Sequence, residues 1–273
     1  MSARELVRDW LPPAALRAIR QLRGKLPRFA GQFASWSEAE AASSGYSAAA
    51  ILKRVVAGTR AVVAGEAAYE RDGMLFERPD LPFPLLSALL RAATAHTGEL
   101  RVIDFGGSLG STYRQCRPFL DHLKRVDWTV IEQAGFVAAG QEFVSAELRF
   151  AGALSEVPPA SQPAVLLASS VLQYLEDPYA ILREVSASPA IRYLVIDRTP
   201  MGEQAHDRLC VQHVPKFIYD ASYPCRIFSR THLLAQLGAP WRLVCDFLSP
   251  EGAAHTTDGL PFEFRGLILE KSS

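Results

Sequence analysis

At 273 residues, 49% hydrophobic and 21% charged, the chain has ordinary globular composition and enough length to bury a full core. Twenty-nine basic side chains balance twenty-nine acidic ones, which removes the bulk electrostatic argument for a nucleic-acid binder. The four cysteines, Cys116, Cys210, Cys225 and Cys245, form no C-x-x-C pair, so neither a disulfide scaffold nor a zinc site is expected.

In chain order, residues 1–30 carry seven basic side chains against Glu5 and Asp9, with Leu6, Val7, Trp10, Leu11, Leu16, Ile19 and Leu22 at helical spacing. A helix packed on its own domain accounts for this pattern. Peripheral contact with an anionic membrane surface is the second reading. Neither a secretory signal nor an apolar run of membrane-spanning length is present, which gives a cytoplasmic expectation, with the inner face of the membrane as the place for any such contact.

Up to residue 97 the pattern reads as helical throughout: a start signal at Ser37, an alanine-rich helix over Ala48–Val63 and an apolar one over Phe83–Ala95. From Leu100 short β-branched runs alternate with helix-length segments. Strands are expected at Arg101–Phe105, Trp128–Glu132, Leu148–Ala151, Val165–Ala168 and Tyr193–Asp197. Helices are expected at Ser111–Leu123, Gln133–Phe143 and Pro178–Val185. Such alternation predicts right-handed crossovers and a parallel sheet. The last two runs, Trp241–Ser249 and Phe262–Lys271, lack an intervening helix and read as an antiparallel pair. The expected division is a helical extension or lid over 1–97 and an α/β domain over 98–273.

Within this pattern, Asp104-Phe105-Gly106-Gly107-Ser108-Leu109-Gly110 falls at a strand-to-helix turn, where glycines let a backbone approach a ligand closely. Glu132 ends the next strand about 20 residues later, where an acid can accept both hydroxyls of a ribose. A nicotinamide fingerprint would place glycine at position 111, which is serine. That substitution, with the terminal antiparallel strands, argues against a nicotinamide oxidoreductase.

The chain resembles the class I S-adenosylmethionine-dependent methyltransferases over Leu100–Lys271. More narrowly it resembles a little-characterised bacterial methyltransferase family whose members accompany surface-polysaccharide genes. FGGSLGSTY, WTVIEQ, ASSVLQYLEDPY, YLVIDRTP, VQHVPKFIYDASYP, SWSEAEAASSGY and YERDGMLF carry this resemblance. It implies a seven-stranded Rossmann-like methyltransferase sheet, S-adenosylmethionine as cofactor, and methyl transfer to a hydroxyl or amine of a small molecule or glycan. Asp104, Gly106, Gly107, Ser108 and Gly110 would line its methionine part and Glu132 its ribose. Ala153 and Leu154 would enclose adenine, and Ser169, Ser170 and Gln173 would face cofactor and substrate. Relatives with histidine in an LHH-like segment have a base there; Gln173 is not one. Tyr46, Tyr69, Arg71 and Asp72 become candidates for a lid.

The stretch between Asp197 and Phe228 reads as a long polar and aromatic connection over the substrate side. His213 and Asp197 are its candidate bases, Arg198 and Lys216 candidates to hold an anionic acceptor, and Tyr219 and Tyr223 candidates to stack on a ring. His206, Asp207 and His213 do not have a metal-ligand spacing, so no metal is expected. The competing reading is a catalytically inactive nucleotide-binding subunit with an assembly or regulatory role. Nothing in the sequence defines an oligomeric state.

Overall fold

The structure is a computed structural model that describes residues 28–45, 48–78, 81–215 and 221–272, with Ala48–Ala50 described by backbone alone. The basic segment singled out in residues 1–30 lies outside the described residues except for its last three. So do Tyr46, Lys216 and Tyr219. Among the described residues no helix is long and apolar enough to cross a membrane.

Strand β1 (Arg28–Ala30) is followed by α1 (Trp36–Ala41). The cap of α1 is Ser35 rather than Ser37: its Oγ accepts from Glu38 N at 3.2 Å, and Glu38 Oε2 accepts from Ala34 N at 3.0 Å. Such reciprocal capping satisfies amides that have no partner inside the helix. Helices α2 (Ala48–Val63) and α3 (Phe83–Ala95) fall where expected. Between them the wholly helical reading fails. Strands β2 (Tyr69–Arg71) and β3 (Met74–Phe76) form an antiparallel hairpin with Arg71 opposite Met74. Asp72 (φ 52°) and Gly73 (φ 72°) supply the two left-handed residues that a type I′ turn demands. Tyr69 and Phe76 stack at 4.5 Å across the hairpin. The signal was an Asp-Gly pair between Arg71 and Met74, masked by the helical stretches on either side.

Next come β4 (Glu99–Phe105), α4 (Ser111–Cys116), β5 (Arg125–Ile131), α5 (Ala134–Gly140), β6 (Leu148–Ala151), β7 (Ala164–Ser169) and α6 (Pro178–Ala187). Helix α4 stops well short of Leu123 because Pro118 interrupts the amide ladder and the chain tightens into a 3-10 turn over Arg117–Phe119. The chain then runs through β8 (Ile191–Gly202), β9 (Arg208–His213), β10 (Ser222–Ser229), α7 (Arg230–Leu237), β11 (Trp241–His255) and β12 (Pro261–Lys271). The long connection expected after Asp197 is therefore largely strand. Its apolar residues alternate too briefly to be read as such from sequence.

The residues pack into two compact units. One joins the segment up to Tyr46 with Arg208–Cys225 and His255–Pro261; the other joins Ser47–Asp207, Arg226–Ala254 and Phe262–Ser273. In the smaller unit β1 runs antiparallel to β9, with Arg28 opposite His213, while Ala39 of α1 packs with Leu209 and Val211. Arg208 Nη2 reaches Asp258 Oδ2 at 2.6 Å.

The larger unit carries the seven expected strands, and β10 adds a short parallel pairing to β8, with Phe228 opposite Met201 and Ser229 opposite Gly202. Its parallel strands lie in the order β6, β5, β4, β7, β8, and β12 runs antiparallel to β8, from Glu263 opposite Met201 to Glu270 opposite Tyr193. Strand β11 pairs with β12 on the far side. Alternating side chains feed two cores, as the pleat requires. Val102, Leu167 and Val195 pack with α3 residues such as Leu85 and Leu89. Ile103, Leu166 and Leu194 pack on the other face with Leu182 of α6 and Leu233 of α7. Because β5 lies on one side of β4 and β7 on the other, the strand order reverses at β4. Open α/β sheets hold ligands at the carboxyl ends of strands beside such a reversal.

Candidate functional site

The turn after β4 lies at this reversal. Asp104, 1% exposed, accepts from the indole Nε1 of Trp128 at 3.1 Å. Burial pushes its carboxyl up to about 7, the Trp128 bond pulls it down, and the nearby charge of Glu132 adds to the rise. Gly107 lies flush against this side chain: a Cβ there would stand 2.4 Å from Asp104 Cγ, so no other residue fits. Asp104 thus shapes the loop from beneath, which differs from a carboxylate displayed openly for a ligand's ammonium group. Ser108, in place of a glycine, takes a left-handed φ of 55°.

Beyond the loop, Glu132 follows directly on β5. Its Oε1 accepts from Ser108 N at 3.2 Å and its Oε2 from Gln133 N at 2.9 Å, tying the strand end to the glycine turn. Burial raises its carboxyl and these two bonds partly offset that rise. Glu132 also borders an open depression of about 450 Å³, lined further by Gln133, Ala134, Val137, Gln141, Gly152 and Glu156. Sequence reasoning placed Ala153 and Leu154 beside adenine. Here Gly152 and Glu156 border the depression, with Gly152 N donating to Glu156 Oε2 at 2.8 Å, while Leu154 packs against the core. The sequence signal was a short acidic turn after β6.

On the other side of β4, β7 ends at Ser169, whose Cα partner is Asp197 of β8. Ser170 (φ 55°) follows the end of β7 and Arg198 (φ 54°) lies within β8, one residue past its last pairing with β7, both in left-handed conformations. Strained backbone of this kind concentrates where surrounding structure holds a functional arrangement. Gln173 is fully buried beneath them: its Nε2 donates to Ser170 Oγ at 3.2 Å and reaches Arg198 O at 3.4 Å, while its Oε1 has no partner. One carboxylate oxygen of Asp197 is engaged within the fold. Its Oδ1 accepts from Arg198 N at 2.8 Å and from Ser249 Oγ at 3.0 Å, and burial raises its carboxyl. Arg198 in turn pairs with Glu251.

The β2–β3 hairpin adds a group that sequence reasoning missed. Glu70 is 3% exposed; its Oε1 accepts from Ser111 Oγ, at the start of α4, and its Oε2 from Gly73 N at 3.1 Å. Burial raises this carboxyl, with Asp72 adding to the rise and Arg114 opposing it. No local pattern marks Glu70, because its partner lies forty-one residues away.

The remaining candidates lie in the smaller unit. His213 is half-buried on β9, its basicity lowered by burial and by Arg28, and Tyr223 is half-buried on β10. The structure joins the glycine turn to Glu132 through Ser108 and to Glu70 through Ser111, and it brings Ser169, Ser170, Gln173, Asp197 and Arg198 together beside the β7–β8 pairing.

No family model matches the chain, and no curated protein matches it. Among solved structures it is similar to the N-terminal domain of EvdMO1 in the presence of SAH and D-fucose, at 14% identity over 75% of this chain and 90% of that one, with a TM-score of 0.44. It is also similar to Burkholderia thailandensis 1,6-didemethyltoxoflavin-N1-methyltransferase, at 16% identity over 89% and 93% of the two chains and a TM-score of 0.42. A third is the glycopeptide N-methyltransferase MtfA complexed with sinefungin, at 11% identity over 69% and 87%, TM-score 0.42. At these identities and scores the likenesses carry nothing about chemistry; the strand order above is what defines the fold.

Proposed function

We propose that the chain is an S-adenosylmethionine-dependent methyltransferase acting on a hydroxyl or amine of a small molecule or glycan. The observation that carries this reading is the sign of the charge around the glycine turn. A dinucleotide would set its pyrophosphate on the amides at the start of α4. Here the Glu70 carboxylate already bonds Ser111 at that point, and Asp104 lies beneath the loop. The Glu70 carboxylate repels a phosphate there and suits a ligand carrying an ammonium and a sulfonium. At the far end, Glu132 and the adjoining depression offer a diol acceptor and apolar walls from Ala134 and Val137, which fit a ribose and a base.

When bound, S-adenosylmethionine supplies an activated methyl group. The protein's task is then to align the acceptor behind that methyl and keep competing water out. Arg198, half-buried within β8 and paired with Glu251, is the residue we assign to hold an anionic group of the acceptor. The resemblance to a family that accompanies surface-polysaccharide genes favours a glycan hydroxyl as acceptor.

Titration calorimetry with S-adenosylhomocysteine tests the reading. Wild-type protein is expected to bind at micromolar strength, and Glu132→Ala to lose about 1–3 kcal/mol of that binding. NAD is expected not to bind. Folded wild-type protein that ignores S-adenosylhomocysteine, or that prefers NAD, would overturn the proposal.

A further inference from the structure

We propose that the amino-terminal edge of the sheet holds a second binding site, for a phosphate group, built on Arg101, Arg125 and Arg149 beneath the segment 157–163.

The strands place these side chains on one face. Arg101 of β4 lies opposite Asp127 of β5, Arg149 of β6 lies opposite Thr129 of β5, and Arg125, Asp127 and Thr129 alternate onto the same side. Asp127 stands at the centre. Its Oδ1 takes Arg149 Nη1 at 2.8 Å, and its Oδ2 lies 3.7 Å from Arg125 Nη2. Three guanidiniums thus share one carboxylate, so this cluster of four side chains carries two positive charges in excess.

Further along the same face Ile103 and Leu166 form a core, on which Val157 packs. The segment that continues from Val157 closes over Arg101, whose Nη2 donates to Pro158 O. Arg101 is 6% exposed, and its Nη1 is buried without a partner. Gln162, in the same segment, also has its amide Nε2 buried without a partner. Both unmet groups are donors, so the chemistry they call for is an acceptor, and the excess positive charge calls for an anionic one.

A phosphate monoester carries about two negative charges at pH 7, which matches that excess. Its oxygens also fit the guanidinium fork in two parallel N–H···O bonds. A single carboxylate would match only half the charge. Arg125 is largely exposed and Arg149 partly so, which gives an anion from solvent a route to Arg101. Arg101 also precedes Phe105 by four residues on β4, about 13 Å along the strand from the glycine turn. The site is therefore separate from the cofactor cleft, and it stands whether or not S-adenosylmethionine binds there.

Thermal unfolding of the full chain tests this, in sodium phosphate against sodium chloride of equal ionic strength, with Arg101→Met and Arg149→Gln alongside. Wild-type protein is expected to unfold about 5 °C higher in about 10 mM phosphate, the shift that submillimolar binding produces in a chain of this size. Both variants are expected to lose most of that shift. A wild-type chain indifferent to phosphate overturns the proposal, as do variants that keep the full response, which would make the arginines purely structural. Should Arg101→Met fail to fold, Arg149→Gln decides alone, because its partly exposed side chain can be replaced without opening the core: a full response there sinks the site. Repeating the titration with a hexose 1-phosphate names the source. A larger shift than with inorganic phosphate assigns the site to a phosphorylated metabolite, and an equal or smaller one to free phosphate.

Discussion

At the ribose end of the cleft, Glu132 and Gln133 continue directly from β5, and Gly152 from β6; each is placed by the strand it follows. At the transfer end, Glu70, Gln173 and Arg198 come from a hairpin, a turn after β7 and the middle of β8, and each is held by a residue from another element or turn. Ser111 holds the hairpin, Ser170 and Arg198 hold Gln173, and Ser249 holds the Asp197–Arg198 step. An end built from strand continuations should tolerate changes elsewhere, whereas one built from cross-element bonds should fail when any tie is cut. The glycine turn, between the two, is shared by both.

The sharpest way to break that comparison is to disturb the shared turn. Gly107→Ala drives a methyl group into the Asp104 carboxyl, and because Asp104 is sealed in, neither can move aside. A loss of about 3 kcal/mol in denaturant unfolding is expected, together with loss of S-adenosylhomocysteine binding, so both ends of the cleft fail together. Unimpaired stability would show that the turn is looser than its packing implies.

A smaller effect, but a directional one, comes from Asp104 itself. Its folded carboxyl titrates near 7, against 3.8 as the ordinary value, so the folded state holds a proton that the unfolded chain releases. The stability this contributes is complete below about pH 4 and is lost as pH rises through about 7. Asp104→Asn should flatten that part of the stability curve, read by thermal unfolding across pH. An unchanged slope would assign the pH dependence to another group.

The finest test cuts one tie of the transfer end only. Ser111→Ala removes the hydroxyl donor to Glu70 while leaving the Gly73 amide in place. About 1 kcal/mol of stability should be lost. Sinefungin, which carries an amine at the transfer position, should weaken more than S-adenosylhomocysteine, since the hairpin that holds the Glu70 carboxylate beside the glycine turn is what loosens. Equal weakening would mean that the two ends are not independent.

The parallel strands were legible because each is a run of β-branched and apolar residues bounded by turn signals, and β6 and the helices α2 and α3 fall at the expected residues. Glu132 was legible for the same reason, as an acid fixed by strand register. The β2–β3 hairpin was not, because three-residue strands give too short a period to read against neighbouring helices. His213 drew attention as a titratable residue in a polar stretch, yet it belongs to a strand of the smaller unit, paired with β1.

The sequence by itself determined the order of strands and helices, the glycine turn and the acid that follows it, since all of these depend on local periodicity and spacing. Only the tertiary structure decided that Asp104 lies sealed under Gly107, that Asp197 Oδ1 bonds Arg198 N and Ser249, and that a carboxylate from the helical half reaches the start of α4. Which oxygen is already bonded, and which is left open to a ligand, depends on residues far apart in the chain meeting in space; no local pattern encodes that.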